Sequence, residues 1–443
     1  MDLADLGASQ LVGMIERGEI TSLELVEACI ARIDAKEDEI GAWAHLDHDF
    51  ARKQAVICDE MHASGMPTGP LHGIPVGIKD IFDTFDFPTE NGTVLSKGRT
   101  PDTDCTAVQR LKAAGAVIMG KTVTTELAVY SPGKTRNPHD PARTPGGSSS
   151  GSAAAVAAGM VPLAIGSQTN GSVIRPASFC GVVGYKPTHG WISRAGALAL
   201  SRTLDHVGVF ARSLEDAALI SQCLVGHDPG DPDTKPAAAP RLCEIMLEEP
   251  PLPPRFAFVK SPVWDKADPE TQEAFQELHE FLGEQSEEVD LPDHFDNAVG
   301  NLRKIMCADL ARYLSAYEAH GADKLSDVLR AMIDEGKTVS AIDFNESVDT
   351  RVHLAGWVKS LNEEFDVILT PATCGEAPLG LDATGDPVFC STWSYLGVPA
   401  VTIPLMEGPN GMPLGVQLVG PRGDDARLLR TARWLATKVA SEA

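Results

Sequence analysis

The chain has 443 residues, 43% of them hydrophobic and 22% charged, an ordinary globular composition that excludes disorder as its dominant state. It carries 37 basic and 62 acidic residues, a formal charge of −25. That balance argues against a nucleic-acid binder, which needs basic surface to displace counterions from phosphates. Nine scattered cysteines, odd in number and without a CxxC pair, argue against a disulfide framework and a structural zinc site.

The start, MDLADLGASQLVGMIERGEI, has acids where a signal peptide has a basic n-region. The longest weakly polar stretch, 151–165, falls short of the ~20 apolar residues that a membrane span needs. The expectation is a cytoplasmic protein with reduced thiols and neither membrane nor nucleic acid as partner.

In chain order, the first sixty residues read as helical. Thr21 and Glu24 form a capping box ahead of LELVEACIARI, whose apolar positions repeat at helical spacing. A turn-rich stretch leads to VGIKDIFD, a short strand ending near Lys79. Residues 105–114 read as a helix stopped by Gly115, followed by the strand AVIM.

Residues 144–190 hold nine Gly and seven Ser, and no acid occurs from Pro141 to Leu204. A Pro-rich connection over 228–254 precedes the strand-like FAFVK and an acidic helical region. Between Arg241 and Gly300, 15 acids and 4 bases place −11 of the total charge in what reads as a solvated outer layer. FDVILTPAT, YLGVPAVTIPL and LGVQLVGP read as strands, and DDARLLRTARWLATKVA as a final helix. The alternation predicts an α/β fold, a sheet whose faces are covered by helices. Within it, 1–60 is the helical start and 228–350 a variable, acidic segment.

Several motifs tempt. Gly115-AVIM-Gly120-Lys121-Thr122 fits the P-loop pattern, the one pointer to a nucleotide-binding protein. Its middle residues read as a buried strand and not as a phosphate cradle. Gly147-Ser148-Ser149-Ser150-Gly151 fits a GxSxG elbow, but no strand precedes it. Ser131-Pro-Gly-Lys134 fits SxxK with helix breakers inside it. His45 and His48 lack a cluster to complete a metal site and read as surface histidines. Neither a metal nor a cofactor is expected.

Three pieces together are far more specific: Gly73-IPVGI-Lys79-Asp80, Pro145-GG-Ser148-Ser149-Ser150-G-Ser152, and Gly166-SQTN-Gly171-Ser172-VIR-Pro176. With FCGVVGYKPTHG, DVILTPA and GVPAVTIPL further on, the chain resembles the amidase-signature family of serine hydrolases. That resemblance implies a single α/β/α layered domain over 1–443 around a large mixed central sheet, and a Ser–Ser–Lys triad with Ser172 as nucleophile, Ser148 as bridging serine on a cis peptide bond, and Lys79 as general base. The 24-residue spacing from Ser148 to Ser172 is the one the family pattern uses, so the resemblance implies Ser148, not Ser149 or Ser150, as the bridge.

The chemistry is self-consistent. A serine hydroxyl needs a neighbouring base, and lysine serves only when neutral, which burial favours. Asp80 adjoins Lys79 but would face the opposite side of a strand. Small residues at Thr169, Asn170, Gly171 and Ser172 let backbone N–H groups converge as an oxyanion hole. Ser149, Gln168 and Arg175 are candidate substrate contacts; Tyr130, Trp191 and 391–394 are candidates to line the pocket. Gln168 and Asn170 depart from the frequent Asp-x-Gly-Gly-Ser form, and Asn170 puts a side chain in the oxyanion loop.

The expected function is hydrolysis of a small carboxamide, anilide or urea-like substrate through a Ser172 acyl-enzyme. The runner-up is the A subunit of a glutamyl-tRNA(Gln) amidotransferase. Family habit implies a homodimer.

Overall fold

The structure is a computed structural model that describes residues 2–238 and 240–442. Eleven strands form one sheet: β1 (Trp43–Leu46), β2 (Pro75–Lys79), β3 (Val117–Thr122), β4 (Leu163–Gln168), β5 (Val183–Lys186), β6 (His206–Ala211), β7 (Phe256–Phe258), β8 (Ser286–Glu288), β9 (Val367–Pro371), β10 (Ala400–Glu407) and β11 (Pro413–Val419). Their spatial order is β1-β3-β2-β4-β6-β5-β10-β11-β9-β7-β8. Parallel pairing joins β3, β2 and β4, and again β9, β7 and β8; the pairs between these groups are antiparallel, as is β1 on β3. The expected mixed sheet is therefore present.

Short-range signals place their elements well. Thr21 and Glu24 close the capping box of the helix Ser22–Ile40. The helix Thr106–Ala113 stops before Gly115, whose φ of +87° is left-handed backbone that a glycine adopts freely. Within the Gly/Ser-rich stretch the helix Ser150–Ala157 lies almost wholly buried against the sheet.

Other readings need correction. The first sixty residues are not all helical, because Trp43–Leu46 pairs with β3 as an edge strand. YLGVPAVTIPL is strand only from Ala400; Tyr395 and Leu396 end the buried helix Val388–Leu396, and Gly397 caps it at φ +68°. His45 and His48 are half-buried, with Glu90 and Asp34 carboxylates 3.4 and 3.9 Å away. Among the described residues no cluster of three or more metal-ligating side chains occurs, and no helix is long and apolar enough to cross a membrane.

Candidate active site

Lys79 is the last residue of β2, a strand flanked by β3 and β4 and buried throughout. Its side chain has no exposed surface. The Nζ lies 2.7 Å from Ser148 Oγ and 2.8 Å from Ser167 Oγ. Burial drives the Lys79 pKa well below the ordinary lysine value; the Asp205 carboxylate opposes this as a smaller effect. Neutral amine is the form such a setting favours.

Asp80 turns away, as strand alternation requires. It stands 3.4 Å from Lys121 Nζ and accepts the Glu90 N–H. Lys121 also donates to the Phe82 carbonyl and the Thr89 hydroxyl. The lysine of the P-loop match thus sits inside fully buried β3, satisfied by protein oxygens. No phosphate cradle is formed there.

Ser148 sits on the cis Gly147–Ser148 peptide, just ahead of the helix Ser150–Ala157. The second serine loop, 169–172, runs from the end of β4 to the helix Ile174–Cys180. Arg175 ties the two loops together by donating from Nη2 to the Gly147 carbonyl at 2.7 Å and to Thr384 Oγ1 at 3.1 Å. Ser172 is half-buried, whereas Ser148 and Lys79 are buried.

Gln168 organises the loop. Its Oε1 accepts the N–H groups of Val173 and Ile174 at 2.7 and 2.9 Å, and its Nε2 donates to Ser394 Oγ at 2.9 Å. The N–H groups of Asn170, Gly171 and Ser172 then donate to no acceptor among the described residues. They lead into the N-terminal turn of a helix, where the dipole favours negative charge. A Cβ on Gly171 would come within 2.8 Å of Pro387, so glycine lets the loop pack against that neighbour.

The Asn170 side chain is anchored sideways: Nδ2 donates to the Tyr130 hydroxyl at 2.9 Å, and Oδ1 accepts from Ser391 Oγ at 2.6 Å. Thr169 Oγ1 donates to Asp205 Oδ1 at 2.7 Å. Asp205 also accepts the N–H groups of Leu200 and Ser201 at 2.9 Å each.

Lys79 and Ser148 are therefore in contact, Arg175 joins the Ser148 loop to the Ser172 loop, and the three expected substrate contacts all make bonds within the protein. Gln168 and Arg175 are buried and bonded to the loop scaffold, with Arg175 Nε and Nη1 left without a partner among the described residues. Ser149 is also buried; its hydroxyl donates to the Ser167 carbonyl and accepts the Ser167 N–H. All three position the backbone. Tyr130 and Ser391 reach the loop, while Trp393 is core and Trp191 belongs to a different surface pocket. Sequence reasoning missed Ser167, although it stands inside the quoted motif, and Asp205, the first acid after the acid-free run.

Against this geometry, comparison with known proteins is direct. The Amidase family model matches residues 24–429. The A subunit of the glutamyl-tRNA(Gln) amidotransferase of Salinispora arenicola (strain CNS-205) is 33% identical over 491 residues, covering 99% of this chain and 98% of that protein. The peptide amidase of Stenotrophomonas maltophilia has a similar fold, with a TM-score of 0.85 at 28% identity, over 99% of this chain and 97% of that one. A chain from a vestigial protein complex that reveals the evolutionary origins of an s-triazine catabolic enzyme superposes with a TM-score of 0.90 at 28% identity, over 99% and 98%. The chain belongs to the amidase family, whose α/β enzymes hydrolyse C–N amide bonds.

Proposed function

We propose that this amidase hydrolyses a small carboxamide, anilide or urea-like substrate through an acyl-enzyme on Ser172. The observation that carries the reading is the Lys79 amine, fully buried and within 2.7 Å of the Ser148 hydroxyl, beside a loop whose N–H groups are free to take an oxyanion. Ser172 Oγ attacks the carbonyl carbon while its proton passes to Ser148, and the Ser148 proton to the neutral Lys79. Charge developing on the carbonyl oxygen is met by the N–H groups of the 169–172 loop, where loss of one donor costs about 3 kcal/mol. Lys79 returns a proton through Ser148 to the leaving nitrogen as the C–N bond breaks. Water, deprotonated by the same relay, then releases the acid. The proposal includes a cytoplasmic location and a homodimer.

A fluorophosphonate probe followed by peptide mapping tests it. The expected result is label on Ser172, absent from Ser172→Ala and strongly slowed in Ser148→Ala and Lys79→Ala. Label elsewhere in folded wild type would end this assignment. The amidotransferase reading is favoured by the name of the Salinispora relative. It predicts weak labelling in isolation that rises when partner proteins are co-expressed.

A further inference from the structure

A cavity of about 240 Å³ opens beside the lysine arm of the site, and Ser167 and Thr169 form part of its wall. Ser167 touches Lys79 Nζ, and Thr169 begins the loop that ends at Ser172. Ile81, Phe82, Leu198 and Leu200 make the lining largely apolar, with Ala197 in one wall and Tyr313 in another. Tyr313 is the last residue of the helix Ala298–Tyr313, so the variable segment supplies part of the lining.

The cations around the cavity are already paired. Arg194 meets Asp231 and Asp233, each at 2.6 Å, and Arg202 meets Asp233 at 2.9 Å. Asp205 is taken by Thr169 and two backbone N–H groups. An anion entering here would shed water without gaining a free cation, and a cation would meet only the Asp205 carboxylate, which already accepts three hydrogen bonds. An uncharged apolar group loses nothing comparable. The volume is below the roughly 300–1,000 Å³ typical of pockets for whole drug-sized ligands, so it suits a single ring or a branched alkyl group.

Position indicates which half of the substrate enters. The proton for the departing nitrogen comes from the Lys79–Ser148 arm, so that nitrogen must lie on the lysine side of the scissile carbonyl. We propose that this cavity is the leaving-group pocket, taking an uncharged, ring-sized N-substituent such as an aryl group, with Ala197 and Tyr313 as specificity-determining residues. The proposal rests on Ser172 acylation.

Microscopic reversibility gives a test that does not require knowing the acyl group. p-Nitrophenyl acetate acetylates Ser172 with release of p-nitrophenolate. An added amine then competes with water: its nitrogen bonds to the acetyl carbon, the bond to Ser172 Oγ breaks, and the amine proton returns to Ser172 through Ser148. The readout is the ratio of acetamide product to acetate, which is independent of how much enzyme is acylated.

Aniline, neutral at pH 8, is expected to form acetanilide with wild type, whereas ethylenediamine, a cation, is poorly captured. Ala197→Phe, which fills the cavity, should lower the acetanilide-to-acetate ratio about tenfold or more, the scale of discrimination typical of an apolar pocket. Tyr313→Ala should shift capture toward 1-naphthylamine. An acetyl-enzyme that forms on Ser172 but ignores aniline, or partitions identically in both variants, would overturn the leaving-group pocket alone. Absence of a Ser172-dependent burst would remove the acyl-enzyme reading itself.

Discussion

A lysine stripped of water releases its proton more readily than one at a surface, and this governs how the site should respond to pH. Only neutral Lys79 can accept a proton, so kcat/KM should rise with pH through the folded Lys79 pKa, below the ordinary lysine range. Ser167 tunes that point, because its oxygen stabilises the ammonium more than the amine. Ser167→Ala should move the pH limb to lower values and reduce kcat by about 2- to 10-fold, the loss of one hydrogen bond, while Ser167→Thr restores both. An unmoved limb in Ser167→Ala would show that Ser167 only supports the fold. Ser167 escaped the sequence reading because a motif says which residues lie close, not where each side chain points. The same gap hid the partners of Gln168 and Arg175, which include Ser394 and the Gly147 carbonyl. The contact of Lys79 with Ser148 was legible because their motifs fit one family pattern together.

Helices from the variable segment dock on the site with a built-in penalty. Asp309, on the helix Ala298–Tyr313, accepts a hydrogen bond from Ser201 Oγ at 2.5 Å. Burial pushes its carboxyl pKa up to about 6; the Asp205 carboxylate adds to this, and Ser201 and Arg312 oppose it. Because the folded pKa exceeds the unfolded value of 3.8, the folded state holds the extra proton between the two. Stability is therefore lost as pH rises through that window, and the penalty is complete above it. Asp309→Asn keeps an acceptor for Ser201 and removes the charge, so its urea midpoint should exceed that of wild type at about pH 8, with the gap shrinking toward about pH 5. A variant no more stable at the higher pH would show that the buried charge carries no such penalty. Among elements, those with local signals were legible, such as the capped helix Ser22–Ile40 and the strand ending at Lys79. β1 was not, because four residues become a strand only through pairing with β3, which lies far along the chain. The Gly/Ser composition around 150–152 is shared with flexible linkers and carries no helical signal, whereas the alanines that follow call for burial, which the helix Ser150–Ala157 gives them.

At the scale of the whole molecule, charge and composition alone would have the acidic segment come away first, since the stretch 241–300 concentrates like charge and 228–254 is rich in proline. Sheet topology argues otherwise. β7 lies between β9 and β8, with Phe256 in register with Val367 on one side and Ser286 on the other. Phe256, Phe258, Phe275, Leu302 and Ile305 share one hydrophobic core with Val76, Ile78 and Ile165 from the strands beside Lys79. Removing the segment would strip β9 of its neighbour and expose fully buried aromatic surface, at about 25 cal/mol per Å² of apolar area. Two separable units would instead show a boundary that few contacts cross. We therefore expect the 228–350 segment and the 73–190 region to unfold as one cooperative unit, consistent with a single domain over 1–443. Hydrogen exchange read by mass spectrometry checks this. Peptides covering β7 and β2 should gain deuterium at the same urea concentration, whereas exchange of β7 well before β2 would divide the chain into two units.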